Sequence, residues 1–125
     1  MQPTLNHGYG PQLMIDAYDA NRDRLDSILM VYNFLNLAPE VIGMNKIGFP
    51  HVVKIFDQDI GGVSGFVFIM ESHISIHTYS HKSFLTLDVY SCKDFDLDKI
   101  IDFTKTTFCF STFEHRLIWR APKYT

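Results

Sequence analysis

The sequence predicts an α+β fold, a two-layer sandwich in which one antiparallel sheet carries two helices on one face, in a single domain of 125 residues. Two observations support this prediction. Apolar residues recur at helical spacing in two segments, and short runs rich in β-branched and aromatic residues, separated by polar turns, fill most of the rest. The other face of such a sheet needs cover, and a second copy of the chain is a natural candidate. We therefore expect the protomers to dimerise.

The elements are expected in the order β-α-β-β-β-β-α-β. Residues 1–10 read as a loose arm, without the basic and apolar regions of a signal peptide. Residues 19–21, Asp-Ala-Asn, supply turn and N-cap chemistry to the first helix, which Pro39 ends, with room for one more turn at 39–43. Its buried stripe is expected to comprise Leu25, Ile28, Leu29, Tyr32 and Leu35. The predicted strands are 12–18, 51–56, 63–70, 74–79, 85–90 and 112–120, and the predicted helices are 22–37 and 95–108.

Composition excludes several classes of protein. Apolar residues make up 46% and charged residues 20% of the chain, which is typical of soluble globular proteins. The net charge of −3 and the lack of a basic run argue against nucleic-acid binding. No apolar run approaches the roughly 20 residues that span a bilayer. Two cysteines, Cys92 and Cys109, are too few for a disulfide framework, which favours a reduced, cytoplasmic protein.

Three histidines, His73, His77 and His81, are spaced four apart and would share one face of a helix, as zinc ligands often do. However, residues 74–78 are β-branched-rich and alternate in polarity, which predicts a strand. On a strand, positions 73 and 81 lie roughly 26 Å apart at about 3.3 Å per residue. One ion cannot span that distance, so no metal is predicted.

Residues 70–77, M-E-S-H-I-S-I-H, place a serine directly after a glutamate and close to two histidines. A serine hydroxyl can attack the carbonyl of the preceding peptide bond and form an ester, given a proton shuttle and stabilisation of the oxyanion. Elimination of the ester breaks the chain and leaves dehydroalanine, which hydrolyses to a pyruvoyl group. A pyruvoyl carbonyl can form a Schiff base with a substrate amine and accept electrons when carbon dioxide leaves.

This stretch resembles the self-cleavage site of the bacterial and archaeal S-adenosylmethionine decarboxylases. The motif E-S-H-x-S-I-H-T at 71–78 follows G-V-S-G at 62–65 and precedes D-V-x-x-C at 88–92, in the order and spacing of that family. The resemblance implies that Ser72 becomes the pyruvoyl cofactor and that Glu71 ends the N-terminal fragment. The chain would then be cut into 1–71 and 72–125.

The resemblance also implies roles for three further residues. Ser64 and His77 assist cleavage, with His77 as the proton-transfer group, since imidazole titrates near neutral pH. Cys92 reprotonates the substrate carbon after decarboxylation. Cys109 has no such context and is expected in the core. In the family the active site lies at a dimer interface, which implies a homodimer here.

The chain departs from the family at the substrate site. The family commonly reads Trp-Pro-Glu after I-H-T, and the glutamate binds the ribose of S-adenosylmethionine. Here Tyr79 keeps the aromatic face, but His81 replaces the carboxylate. Phe56 is expected to stack on the adenine, provided the turn at 57–61 absorbs a difference in length.

Three functions follow. The leading one is an S-adenosylmethionine decarboxylase, which makes decarboxylated S-adenosylmethionine for spermidine synthesis. An arginine or ornithine decarboxylase on the same machinery is the alternative, since such substrates have no ribose to bind. The third is an unprocessed, non-catalytic homologue that regulates a partner.

Overall fold

The computed structural model describes residues 8–124, which form one six-stranded antiparallel sheet with its helices on one side. The elements are β1 (Gly10–Tyr18), α1 (Arg22–Leu25), α2 (Ile28–Val41), β2 (Lys46–Lys54), β3 (Val63–Ile69), β4 (Ser72–Tyr79), β5 (Phe84–Tyr90), α3 (Leu97–Phe108) and β6 (Thr112–Arg120). The strand order is β2-β3-β4-β5-β1-β6, so β1 lies between β5 and β6. The predicted fold class is confirmed, although the first predicted helix is divided in two.

Buried and more exposed side chains alternate along the four central strands, so the sheet has a buried face and an open face. The buried residues of β1, β3, β4 and β5 point to the side on which α2 and α3 pack, and together they form one hydrophobic core. They include Leu13, Ile15, Val67, Ile69, Ile74, Ile76, Leu85, Leu87 and Val89. The core side of the helices includes Val31, Phe34, Leu35, Ile100 and Phe108. In the second predicted helix, Ile100, Ile101 and Thr104 are buried together with Phe108.

The first predicted helix is interrupted at Ser27. Asn21 caps α1 as predicted, accepting a hydrogen bond from the backbone N–H of Arg24 at 3.0 Å. Ser27 caps α2 in the same way, accepting from the N–H of Met30 at 3.1 Å.

Because α2 begins as a separate helix after Ser27, its buried face differs from the predicted one. The predicted buried stripe is wrong at two positions. Ile28 is 49% and Leu29 is 69% exposed, whereas Leu25 and Leu35 are buried and Tyr32 is half-buried. Pro39 does not stop the helix: the further turn expected at 39–43 is continuous with α2, which runs to Val41.

Two further differences lie outside the helices. Strand β2 begins earlier than predicted and is interrupted by a bulge between Ile47 and His51, where Gly48 has φ +72°. Cys109 is exposed rather than in the core, because it ends α3 in the left-handed conformation at φ +54°.

The predicted arm lies mostly outside the described residues, since residues 1–7 are not among them. The part that is described is held to the sheet, with the Tyr9 N–H donating to the Arg120 carbonyl at 2.8 Å.

The open face carries polar and aromatic side chains that no described element of the chain covers. Ser64 and Phe66 of β3 share this face with His77 and Ser75 of β4, which lie directly opposite them. Several large apolar side chains there are substantially exposed: Val53 at 45%, Phe66 at 38%, Phe68 at 55% and Ile118 at 51%. An exposed apolar surface of this kind marks an interaction face more often than plain surface.

Candidate active site

The predicted cleavage site is the turn between β3 and β4. Met70 and Glu71 form this turn, and Ser72 is the first residue of β4. The Ser72 Oγ donates a hydrogen bond to the carbonyl oxygen of Glu71, the carbonyl that it would attack. Glu71 is exposed and Ser72 is half-buried. The nucleophile and its target are therefore in direct contact at an accessible turn.

Cys92 lies at the same end of the sheet. It follows β5 closely, and its thiol donates to the carbonyl oxygen of Met70 at 3.5 Å. Cys92 and Met70 also line a cleft of about 210 Å³. The structure thus brings the predicted proton donor to the turn that directly precedes the predicted pyruvoyl position. A small carbonyl group formed from Ser72 fits this setting, because the thiol is partly accessible and the turn borders open space.

Ser64 and His77 form a second group. They are directly opposite each other on β3 and β4, and Ser64 Oγ lies 2.8 Å from His77 Nδ1. Both side chains line a shallow hollow of about 170 Å³ on the open face, together with His51 and Phe66. A hydroxyl hydrogen-bonded to an imidazole can relay a proton between a substrate and solvent.

The cleavage site at Ser72 and the pair formed by Ser64 and His77 are not in contact within one protomer. Ser72 and His77 are five residues apart on the same strand, which is roughly 16 Å at about 3.3 Å per residue. An odd separation also places their side chains on opposite faces of the sheet. The structure places both residues on β4, where only His77 was predicted to lie in a strand, and His77 cannot reach Ser72 of its own chain.

Two of the three predicted substrate residues come together near the Ser64 and His77 end of the sheet. Phe56, whose side chain is 92% exposed, lines a cleft of about 400 Å³ with His81. Tyr79 does not line this cleft. Its ring stacks on Phe84, with ring centroids 4.3 Å apart and an interplanar angle of 17°.

The cleft also contains a carboxylate, Asp26, which the sequence analysis missed. Its Oδ1 accepts from Lys54 Nζ at 2.6 Å and from Ser80 Oγ at 2.9 Å. The Lys54 hydrogen bond is the main reason that the pKa of Asp26 is lowered from its usual value; partial desolvation opposes this shift, and the Ser80 hydrogen bond adds to it. No motif marks Asp26, because it reaches the cleft only through the break between α1 and α2.

His81 has a defined hydrogen-bonding pattern. Its Nδ1 lies 2.9 Å from the carbonyl oxygen of Gln58, and a carbonyl can only accept, so Nδ1 carries the hydrogen. In the neutral ring, Nε2 is then the acceptor. Gly61 leaves room for this ring, because a Cβ there would lie 3.0 Å from Nε2.

Within residues 8–124, no group of three histidine, cysteine or acidic side chains is arranged to hold a metal ion. No helix in that range is long and apolar enough to cross a membrane.

Comparison with known proteins places this geometry in a family. The model of the S-adenosylmethionine decarboxylase family matches residues 11–121, nearly the whole chain. This chain belongs to that family. The sequence resemblance is therefore confirmed, and the arginine or ornithine alternative is not favoured.

Relatives of the chain agree in sequence and in fold. The S-adenosylmethionine decarboxylase proenzyme of Clostridium botulinum strain Langeland is 31% identical over 113 residues, which cover 90% of this chain and 94% of the relative. The proenzyme of Aquifex aeolicus is 32% identical over 85 residues, covering 68% of this chain and 60% of the relative. The crystal structure of the Aquifex aeolicus adenosylmethionine decarboxylase superposes with a TM-score of 0.76 at 26% identity. That match covers 91% of this chain and 92% of the other.

Proposed function

We propose that this chain is a self-cleaving proenzyme that matures into a pyruvoyl-dependent S-adenosylmethionine decarboxylase. The contact between Ser72 Oγ and the Glu71 carbonyl is the observation that carries the proposal. Attack forms an ester bond from Oγ to the Glu71 carbonyl carbon and breaks the peptide bond, freeing the Ser72 amine. Loss of the Ser72 α-proton then expels the Glu71 carboxylate. The resulting dehydroalanine takes up water and releases ammonia.

The pyruvoyl group supplies a carbonyl that condenses with the substrate amine and takes up the electrons released with carbon dioxide. The surrounding side chains would supply binding and proton transfer. Cys92 would deliver a proton near position 72, which the contact of its sulfur with the Met70 carbonyl supports. His77, paired with Ser64 at 2.8 Å, would shuttle protons during the acyl shift and the elimination.

The separation of the two groups supports a homodimer. His77 cannot reach Ser72 in its own chain, so a partner must supply it if both act in one reaction. A twofold axis through the open face would set two sheets face to face and bring the His77 end of one protomer to the end of the sheet at which the other exposes its Glu71–Ser72 junction. The exposed Phe66, Phe68 and Ile118 side chains would be buried in that interface.

Mixed dimers test this arrangement. Ser72→Ala and His77→Ala chains should each stay intact when expressed alone. When they are co-expressed, the His77→Ala chain should be cleaved, because its own Ser72 then meets an intact His77 from its partner. Cleavage of the His77→Ala chain alone would contradict this role of His77, and an absence of cleavage in the mixture would contradict the shared site.

The cleft that contains Phe56 and His81 is the proposed site for the adenosine part of the substrate. Phe56 offers an aromatic face, and the Nε2 of His81 and the carboxylate of Asp26 offer acceptors for ribose hydroxyls. Tyr79 lies nearby on the open face, stacked on Phe84. The product would be decarboxylated S-adenosylmethionine, the aminopropyl donor for spermidine. A reduced compartment such as the cytoplasm suits the proposed role of Cys92, which has to remain a free thiol.

Intact mass spectrometry of the purified protein tests the whole proposal. We expect two fragments, 1–71 and 72–125, with a pyruvoyl group at the start of the second. Incubation with S-adenosylmethionine and cyanoborohydride should attach the substrate amine to that fragment, whereas arginine and ornithine serve as control amines. The Ser72→Ala chain should stay intact and trap nothing.

Each contrary result would contradict a different part of the proposed function. A single uncut wild-type chain would favour the non-catalytic function. Two fragments that trap and turn over arginine or ornithine, but not S-adenosylmethionine, would refute the proposed substrate and keep the proposed cofactor. A Ser72→Ala chain that still releases carbon dioxide would refute the cofactor.

A further inference from the structure

Tyr9 makes the contact that holds the Glu71 side chain. Its hydroxyl donates to Glu71 Oε2 at 3.1 Å, across 62 positions of sequence. Tyr9 immediately precedes β1, and its N–H is bonded to the Arg120 carbonyl at the end of β6. The phenol therefore reaches the cleavage turn from a backbone that is attached to the sheet.

Aromatic rings fix the position of the Tyr9 side chain. Tyr124 contacts it edge-on, with ring centroids 5.4 Å apart, and Tyr90 lies at 6.3 Å. The Arg120 guanidinium stacks over Tyr90 at 5.1 Å and completes the cluster. A ring enclosed on two sides has few rotamers available, so its hydroxyl points at one place.

The environment also keeps the phenol protonated. Desolvation, and then the hydrogen bond to Glu71, raise the pKa of Tyr9 to about 12. Tyr9 is therefore a hydrogen-bond donor throughout the neutral range and does not act there as a base.

The rest of the turn is held by other groups. The Met70 N–H donates to the Asn45 carbonyl at 3.2 Å, and the Met70 carbonyl accepts from Cys92. Glu71 itself is exposed, and its carbonyl is the one that Ser72 Oγ contacts. A rotation about the N–Cα bond of Glu71 would move its side chain and its carbonyl together, so a hold on the carboxylate opposes that rotation of the carbonyl.

We infer that Tyr9 is a positioning residue for chain cleavage, holding the Glu71 carboxylate so that the Glu71 carbonyl stays in line with the Ser72 hydroxyl. This inference rests on the proposed self-cleavage. The acyl shift needs the attacking oxygen and the carbonyl carbon at near-contact distance and in the right orientation, and small displacements slow such reactions strongly. Tyr9 acts through Glu71 and does not touch the reacting atoms.

The test compares Tyr9→Phe with Tyr18→Phe in a pulse-chase of freshly translated chain, following the appearance of the two fragments. Tyr18 is a matched control, because its hydroxyl donates to Glu114 Oε2 at the same distance of 3.1 Å and lies at the other end of β1. We expect Tyr9→Phe to slow cleavage by about ten- to a hundredfold, the factor that one hydrogen bond to a charged group supplies. Tyr18→Phe should cleave at the wild-type rate.

A double-mutant cycle separates positioning through Glu71 from a general effect on folding. In a Glu71→Ala background the Tyr9→Phe change should have no further effect on the cleavage rate, because the group that Tyr9 holds is gone. The inference is overturned if Tyr9→Phe cleaves as fast as wild type, or if it slows Glu71→Ala by the same factor as it slows wild type. A wild-type chain that never cleaves would overturn the proposed function, and this inference with it.

Discussion

The hydroxyl of Thr78 joins the central sheet to the end of α1, and its loss should be costly. Thr78 is 2% exposed. Its Oγ1 accepts from the Val63 N–H at 2.8 Å and donates to the Leu25 carbonyl at 2.6 Å. Replacement by valine keeps the shape and leaves both backbone groups buried without that partner. Each such group costs about 1–3 kcal/mol, whereas the added methyl contributes only about 0.8 kcal/mol.

We therefore expect Thr78→Val to lower the free energy of unfolding by about 3 kcal/mol, or roughly 10 °C in Tm for a domain of this size. The assay is urea unfolding at fixed protomer concentration in the Ser72→Ala background, in which the chain should stay in one piece. Thr104→Val is the matched control. Thr104 is also fully buried, but its hydroxyl bonds to the Ile100 carbonyl, which the helix already satisfies. Equal costs for the two variants would refute the reasoning.

Three further predictions concern the site and its surroundings. Cys92→Ala should allow cleavage but reduce steady-state formation of the decarboxylated product by about a hundredfold or more, as expected for loss of the acid that reprotonates the substrate carbon. Gly62→Ala should lower the urea midpoint more than Gly43→Ala, since both have positive φ but only the former puts a Cβ within 1.9 Å of the Thr78 carbonyl oxygen. Asp26→Asn should cost at most about 1 kcal/mol at pH 7. That difference should shrink as the pH falls below 3.8, because the lowered pKa of Asp26 stabilises the fold only while the carboxylate is ionised.

Each of these has a clear contrary result. Normal turnover in Cys92→Ala would remove the thiol from the reaction. Equal urea midpoints for the two glycine variants would mean that the contact with the Thr78 carbonyl relaxes freely. An Asp26→Asn difference that grows toward low pH would reverse the sign expected from its ion pair.

The sequence predicted the sheet well because its strands are short runs rich in β-branched and aromatic residues, separated by polar turns. Residues 63–69 and 84–90 are strands within a residue of the predicted bounds, and 112–120 matches them. The first helix was harder to predict, because one serine, Ser27, starts a new helix in a segment whose apolar residues already fit a single one. Its hydrogen bond to the Met30 N–H outweighed the apparent stripe.

The chemical motifs are short stretches of sequence, so they carry no information about distances between residues in the fold. They predict roles for Ser72, His77 and Cys92, but they do not show that Ser72 and His77 lie far apart within one protomer. That follows only from counting along an observed strand. Asp26 and Tyr9 were missed for a related reason. Each reaches its partners from a distant part of the chain, and no short pattern marks such a contact.

The position of β1 between β5 and β6 has a consequence for the matured molecule. The proposed cut assigns β1, β2 and β3 to one polypeptide and β4, β5 and β6 to the other, so the sheet order alternates between the two pieces. Three of the five strand pairings, β3 with β4, β5 with β1, and β1 with β6, then join separate polypeptides. The pieces are interleaved, and neither can leave without breaking ladders on both sides of β1. The uncut chain folds as one molecule. After maturation, refolding from the denatured state would require two separate polypeptides to associate, so its rate would be second order in their concentrations.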